Sequence, residues 1–184
     1  MADVGTALEA ALARRSRSRV GEPAPSREQL LPLVAAASRS ADHSSLRPWR
    51  LIELRGDARN RLGEALAASA QLDDKDAAKL AAKPLRAPLL IALVTVRRES
   101  AKVADWEQDA AAAGVAHTLS LLLDEAGWGV IWRTGPHTRS DAVRRMHALA
   151  PNEELLGWLY VGTPERDDSG PKRPVDAEQY ISTL

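Results

Sequence analysis

Residues Leu89–Val96 read Leu-Leu-Ile-Ala-Leu-Val-Thr-Val, an almost unbroken apolar and β-branched run. A strand with apolar side chains on both faces must be covered on both faces, so this run predicts a buried central strand between helical layers. It is far short of the roughly 20 apolar residues that cross a bilayer, and it is the strongest apolar run in the chain. Leu155–Val161 reads as a second buried strand. Trp49–Leu54 alternates well enough for a third, and Val130–Arg133 reads as a fourth.

The segments between these strands carry helical signals. Val4 to Ala13 predicts a short helix with Val4, Leu8, Ala11 and Leu12 on one face. Ser26 followed by Gln29 is a capping box that opens a helix from Arg27 to about Ser38, with Pro32 arguing against its continuation. Asp57 caps a helix through Ala70, and another covers Asp74 to Ala82. Lys83 to Pro88 is a rigid linker. Val103 to Ala126 is the longest helix, ended by Gly127 and Gly129. Its centre, Ala110 to Ala116, is made of small residues that let another helix approach closely, so it is the packing axis of the fold or of a dimer. Ser140 caps a helix to about Leu149. From Gly162 the chain turns polar and Pro-rich, which suggests a tail that lies across a partner. The order of elements predicts an α+β fold around one sheet.

Composition narrows the classes. A chain of 184 residues suits one domain. Lys+Arg is 25 and Asp+Glu is 25, so bulk charge does not hold nucleic acid. The absence of cysteine excludes disulfide scaffolds, thiolate metal sites and cysteine nucleophiles. The four histidines, His43, His117, His137 and His147, show no metal-ligand spacing, so no metal site is assigned. Gly-x-Ser-x-Gly, Walker and Gly-x-Gly-x-x-Gly patterns are absent. The N-terminus carries no secretory pattern, and a cytoplasmic location is expected.

Three stretches are dense in groups that bind anions or flat rings. Arg14-Arg15-Ser16-Arg17-Ser18-Arg19 follows the first helix. By itself it fits a solvated helix end, a nucleic-acid contact, or a single phosphate held by Arg forks and a hydroxyl. Ser38 to Arg50 is a polar loop running into a strand. Ile131-Trp132-Arg133-Thr134-Gly135 ends a strand with a guanidinium that needs a partner.

These motifs, with Arg86-Ala87-Pro88, Trp106-Glu107-Gln108 and Leu159-Tyr160-Val161-Gly162-Thr163-Pro164, occur in an order that resembles the nitroreductase superfamily of FMN-dependent oxidoreductases. The resemblance covers nearly the whole chain and is closest to a short single-domain branch. It implies a nitroreductase-like α+β fold with a central antiparallel sheet flanked by helices and the long helix at a dimer interface. Residues 1–162 form the domain, and 163–184 an extension packing on the partner subunit.

The implied activity is hydride transfer from NAD(P)H through FMN to a small-molecule electron acceptor such as a nitroaromatic or quinone. A homodimer is implied, with no nucleic-acid or membrane partner. The implied cofactor contacts are Arg14, Arg15 and Ser16 at the phosphate and ribityl chain, Arg39 and His43 from the partner subunit, and Trp132, Arg133 and Thr134 at the strand end. The flavin carries the chemistry, so no catalytic side chain is named. Many members carry Lys or Arg two residues after the motif serine, where this chain has Ser18 followed by Arg19. Many also carry Asn-Ser-Gln-Pro-Trp where this chain has Ser45-Leu46-Arg47-Pro48-Trp49. A flavin-binding protein with little turnover, or an Arg-rich nucleic-acid or partner-binding module, are the alternatives.

Overall fold

In a computed structural model, which describes residues 7–70, 73–165 and 174–184, Leu89–Val96 forms strand β3 and is buried from Leu89 through Thr95. Strand β2 (Trp49–Leu54) pairs with one edge of β3, and β5 (Glu153–Pro164) with the other. Strands β4 (Gly129–Arg133) and β1 (Val20–Gly21) also pair with β5, β4 along Trp158–Gly162 and β1 beyond it at Thr163 and Pro164. All of these pairings are antiparallel, giving the path β1-β5-β3-β2 with β4 beside β5.

Successive side chains of β3 serve two separate cores, as a strand buried on both faces requires. Leu90, Ala92 and Val94 pack with Leu62 and Leu66 of α3 (Asp57–Ala68), Leu80 of α4 (Asp74–Ala81) and Val143 of α6 (Asp141–Met146). Leu89, Ile91 and Leu93 pack with Leu30 and Ala37 of α2 (Arg27–Ala37) and with Val115, Ala116, Leu119 and Leu123 of α5 (Asp105–Glu125). The small-residue centre of α5 admits a close neighbour: a Cβ on Gly114 would lie 3.6 Å from Ser40 Cβ, just past the end of α2. Ser40 Oγ and Thr118 Oγ1 share a hydrogen bond of 2.8 Å across that contact. None of the described helices is long and apolar enough to cross a membrane.

The chain departs from its sequence pattern in four places. Helix α2 runs through Pro32 on its capping box. Pro32 and Glu28, whose carbonyl loses its helical donor, are both exposed, so water serves the carbonyl while Leu30 anchors the opposite face. The helix after Ser140 stops at Met146, because Ala148 takes a left-handed φ of 49°. Strand β5 continues past Val161 to Pro164, paired by the two-residue β1, which is too short to leave a periodic signature. Helix α1 (Ala7–Ala13) leaves Leu8 and Leu12 exposed, at 69% and 65%. Residues 4–6 of the expected first helix lie outside the described residues, as do residues 166–173 of the tail.

One irregularity aims the rest of β5. Leu93 pairs with Gly157 but Val94 pairs with Leu155, so β5 carries one extra residue at Leu156. Leu155 and Trp158, three apart, therefore share the α3–α6 core, as does Tyr160. Gly157 itself sits at φ 140°, and a Cβ there would meet the Arg133 carbonyl and lie 2.7 Å from Trp132 Nε1. Gly157→Ala is expected to lower stability by roughly 3 kcal/mol, from backbone strain and overpacking together. Denaturant unfolding measures this, with Gly114→Ala, which meets only ordinary contacts, as the mild control.

Candidate functional site

A cavity of about 290 Å³ opens on the α3–α4 side of the sheet, where β4 and β5 meet the turn Lys83–Arg86. Its floor is Trp158 and Tyr160, and its sides are Leu66, Leu80, Trp132 and Thr134. Lys83, Arg86 and Arg133 bring cations to it. The turn holds its shape because Pro84, Ala87 and Pro88 are buried, which leaves Lys83 and Arg86 exposed, while Arg59 Nη1 donates to the Ala87 carbonyl at 2.7 Å. Arg86 and Arg133 also border an adjoining groove of about 430 Å³, completed by Ser18, Arg19, Val20 and Glu165.

The charges here contrast with those elsewhere in the protein. Arg50 and Glu153 form a two-pronged pair at 2.6 and 2.8 Å, and Arg97 bridges Asp109 and Glu154 at 2.9 Å each. Those contacts hold the carboxyl groups of Glu153 and Glu154 below the ordinary carboxylate range. Among the described residues, Lys83, Arg86 and Arg133 have no carboxylate within ion-pair distance. The Arg133 guanidinium instead lies 5.5 Å from the Tyr160 ring centroid, a cation–π contact. Burial pushes the Tyr160 phenol above its usual range, against the opposing pull of Arg133 and Arg86, so it stays protonated and able to donate. Several cations, a phenol and the Trp158 indole around one cavity make a place for an anionic, flat, aromatic ligand.

Strand β4 adds backbone groups. Its Val130 carbonyl turns away from β5 and accepts from Arg17 N at 2.8 Å. By alternation the N–H and carbonyl of Trp132 face the same outer edge, where β4 has no strand partner. The Trp132 indole turns toward α5, edge-on to His117 with centroids 5.0 Å apart, and its buried Nε1 has no hydrogen-bond partner.

The site residues expected from the sequence fall into three groups. Trp132, Arg133 and Thr134 line the cavity. Arg14, Arg15 and Ser16 follow α1 and lead to the Arg17 contact with the outer edge of β4, while the neighbouring Ser18 and Arg19 line the groove beside Arg133. Arg39 and His43 lie in the loop after α2, and His43 Nδ1 is 3.0 Å from Glu107 Oε1 of α5. That loop holds left-handed Ser44, Ser45 and Arg47, pinned by Asp42, whose Oδ2 accepts from Arg47 N at 2.7 Å. Strain in three non-glycine residues persists only where surroundings enforce it, and such strain gathers at binding sites. Within one chain this loop does not reach the cavity wall.

Reading the sequence missed Lys83, Arg86, Trp158 and Tyr160 as cavity residues. Trp158 and Tyr160, two apart on a strand, were legible as sharing a face. Which face depended on the bulge at Leu156.

Comparison with known proteins places the chain in a family. Residues 11–163 match the Nitroreductase family. A relative from Escherichia coli K12, named "Putative NAD(P)H nitroreductase YdjA", is 38% identical over 86% of this chain and 88% of its own length. Among solved structures, a nitroreductase-like family protein from Bacillus cereus superposes with a TM-score of 0.87 at 20% identity, covering 100% of this chain and 98% of that one. The FMN and NADPH-dependent nitroreductase NfnB from Sphigopyxis sp. strain HMH superposes with a TM-score of 0.76 at 18% identity, covering 98% and 99%. The chain belongs to the nitroreductase family of oxidoreductase enzymes.

Cations gathered without carboxylates in ion-pair distance repel one another. Arg86→Gln is expected to raise the melting temperature of ligand-free protein by about 1–2 °C, the shift for a few tenths of a kcal/mol in a chain of this size. Differential scanning fluorimetry at low salt checks this, and the gain should shrink at high salt.

Proposed function

We propose that this member of the nitroreductase family is an FMN-dependent oxidoreductase that draws hydride from NAD(P)H and delivers it to a small electrophilic acceptor such as a quinone or nitroaromatic. The observation that carries the reading is the cavity itself. It joins cations unpaired among the described residues to aromatic walls along the strand β4, whose Trp132 N–H and carbonyl face away from β5. A flavin phosphate suits the cations, and an isoalloxazine ring suits the walls and the strand edge. The names of the YdjA relative and of NfnB supply the nicotinamide donor and the FMN.

When bound, FMN would supply the hydride chemistry, and the chain's own residues position it and shield it. Arg133 would hold the phosphate together with Arg14 and Ser16, and Arg15 the ribityl chain. Trp132 and Thr134 would border the ring. Tyr160 offers its phenol proton as a hydrogen bond into the cavity. No side chain is assigned as general acid or base.

The protein acts as a homodimer, with Arg39 and His43 of each subunit approaching the flavin of the other. Leu8 and Leu12 of α1, Trp106 of α5, and Val175, Tyr180 and Ile181 of the tail are exposed and apolar in the single chain. Burying them between two copies removes that surface from water. The tail has no core of its own and crosses onto the partner. A groove of about 300 Å³ between α2 and the edge strand β2, lined by Leu30, Leu31, Val34, Trp49 and Leu51 and by the charged Arg27, Arg50 and Glu53, suits it.

Two measurements test this reading. Purified protein should be yellow and should hold FMN. Arg133→Ala should weaken FMN by roughly tenfold to a hundredfold, the scale of one charge-assisted hydrogen bond. Riboflavin, which lacks the phosphate, should bind wild type weakly and be indifferent to the mutation. Equal FMN affinity in the variant would return Arg133 to a structural role. Light scattering at micromolar concentration should give the mass of a dimer, whose interface at this affinity buries more than roughly 2,000 Å². A monomer would remove the partner's residues from the site and overturn the two-chain arrangement.

A further inference from the structure

Behind the cavity floor lies a buried side chain, His147, that takes no part in the reading above. His147 closes the C-terminal end of α6, and both of its ring nitrogens are engaged. Nδ1 lies 2.8 Å from the Val143 carbonyl, which can only accept, so Nδ1 carries the proton. Nε2 is then a bare lone pair, and it accepts from Trp158 Nε1 at 3.1 Å. A single state of the ring, the neutral Nδ1–H tautomer, satisfies both bonds. The same Trp158 indole walls the cavity beside Tyr160 and Arg133, and the bulge at Leu156 aims it there.

We infer that His147 is a positioning residue for the cofactor cavity: its bare Nε2 fixes the Trp158 indole as a wall, and a proton taken up at Nε2 releases that wall and loosens the bound cofactor. The inference rests on the cavity being the flavin site. A protonated Nε2 would set one N–H against another inside a buried contact, where neither has an alternative partner.

Geometry and charge place the switch on the acid side. Burial, more than any other influence, holds His147 below the ordinary histidine range; the hydrogen bond to the Val143 carbonyl opposes it, and the field of Arg50 adds a smaller lowering. Arg50 reaches it from β2, already paired with Glu153 of β5. Arg144, on His147's own helix, is turned to the Glu153 carbonyl at 2.9 Å. No charged side chain of α3 or of the turn at 136–139 adds to that field. The folded value is lowered. The bonded neutral ring therefore stabilises the fold fully above the unfolded value of about 6.5 and loses that contribution as pH falls through the folded one.

The test uses ligand-free dimer labelled with ¹⁵N-Trp, as wild type, His147→Gln and His147→Leu, between pH 8 and pH 5. Trp158→Phe assigns the Trp158 indole N–H resonance by its loss. The first readout is that resonance. The second is FMN affinity by flavin fluorescence at each pH, expressed as the ratio of wild type to His147→Gln, because FMN's own phosphate takes up a proton in this range. The wild-type resonance should shift in one step below the ordinary histidine range, and the ratio should show wild type weakening about tenfold over the same step, one hydrogen bond's worth. His147→Gln keeps an acceptor and should show no such step. His147→Leu keeps none and should bind FMN weakly at every pH.

An indole resonance that does not titrate, or a ratio constant with pH, would overturn the inference. Should both variants fail to fold, the wild-type long-range ¹⁵N–¹H spectrum of His147 decides. A proton on Nε2 at pH 8 overturns the inference, and one on Nδ1 with a titrating indole supports it. If no FMN binds at pH 8 while the indole still titrates, the flavin reading of the cavity fails and the His147–Trp158 coupling stands.

Discussion

Strand β3 is the constraint from which the architecture follows. Its backbone is paired on both edges, to β2 and to β5, and its side chains are buried on both faces. A strand in that position leaves no surface for water, so two independent layers of helices must exist to cover it. Leu90, Ala92 and Val94 recruit α3, α4 and α6, while Leu89, Ile91 and Leu93 recruit α2 and α5. Each buried leucine of such a strand contributes on the order of 2 kcal/mol by area burial, and the contributions are shared between two cores that cannot form separately. The outer strands are held by this one, and every cavity wall is attached to it directly or through β5.

The functional geometry comes from a defect in that regular frame. One extra residue in β5 reverses the parity of the strand, so Trp158 and Tyr160 enter the α3–α6 core in place of the α2–α5 core. Gly157 permits the turn, with a left-handed φ that a side chain would strain and a contact with β4 that a Cβ would close. Arg133, opposite Trp158 on β4, then finds an aromatic ring beneath its guanidinium. A regular strand of the same composition would bury the same area and build no cavity.

Charge is distributed by purpose. Away from the cavity, arginines are tied down: Arg50 to Glu153, and Arg97 to Asp109 and Glu154, with the Glu153 and Glu154 carboxyls held below the ordinary range. At the cavity, Lys83, Arg86 and Arg133 stand without carboxylates among the described residues. The chain has equal numbers of acidic and basic groups, so the imbalance is one of placement. Cations without a neighbouring carboxylate are available to an anionic ligand and repel one another in its absence.

Much of this was legible in the residues themselves. The buried strands at Leu89–Val96 and Leu155–Val161, the capping box at Ser26 and Gln29, and the long helix with its small-residue centre all carry local signals, because burial on one or two faces imposes a period on the sequence. The motifs at Arg14-Arg15-Ser16 and Trp132-Arg133-Thr134 carry the resemblance to the family that residues 11–163 match. The two-residue β1 and the stop at Met146 had no such signal, since they are fixed by partners and by one left-handed residue. The sequence by itself determined which segments are buried, since hydrophobic pattern is a local property. Tertiary structure alone decided that Lys83 and Arg86 join Arg133 around Tyr160, and that His147 grips Trp158 from behind, because those neighbours are brought together by strand register, and a single inserted residue changes the register of everything after it.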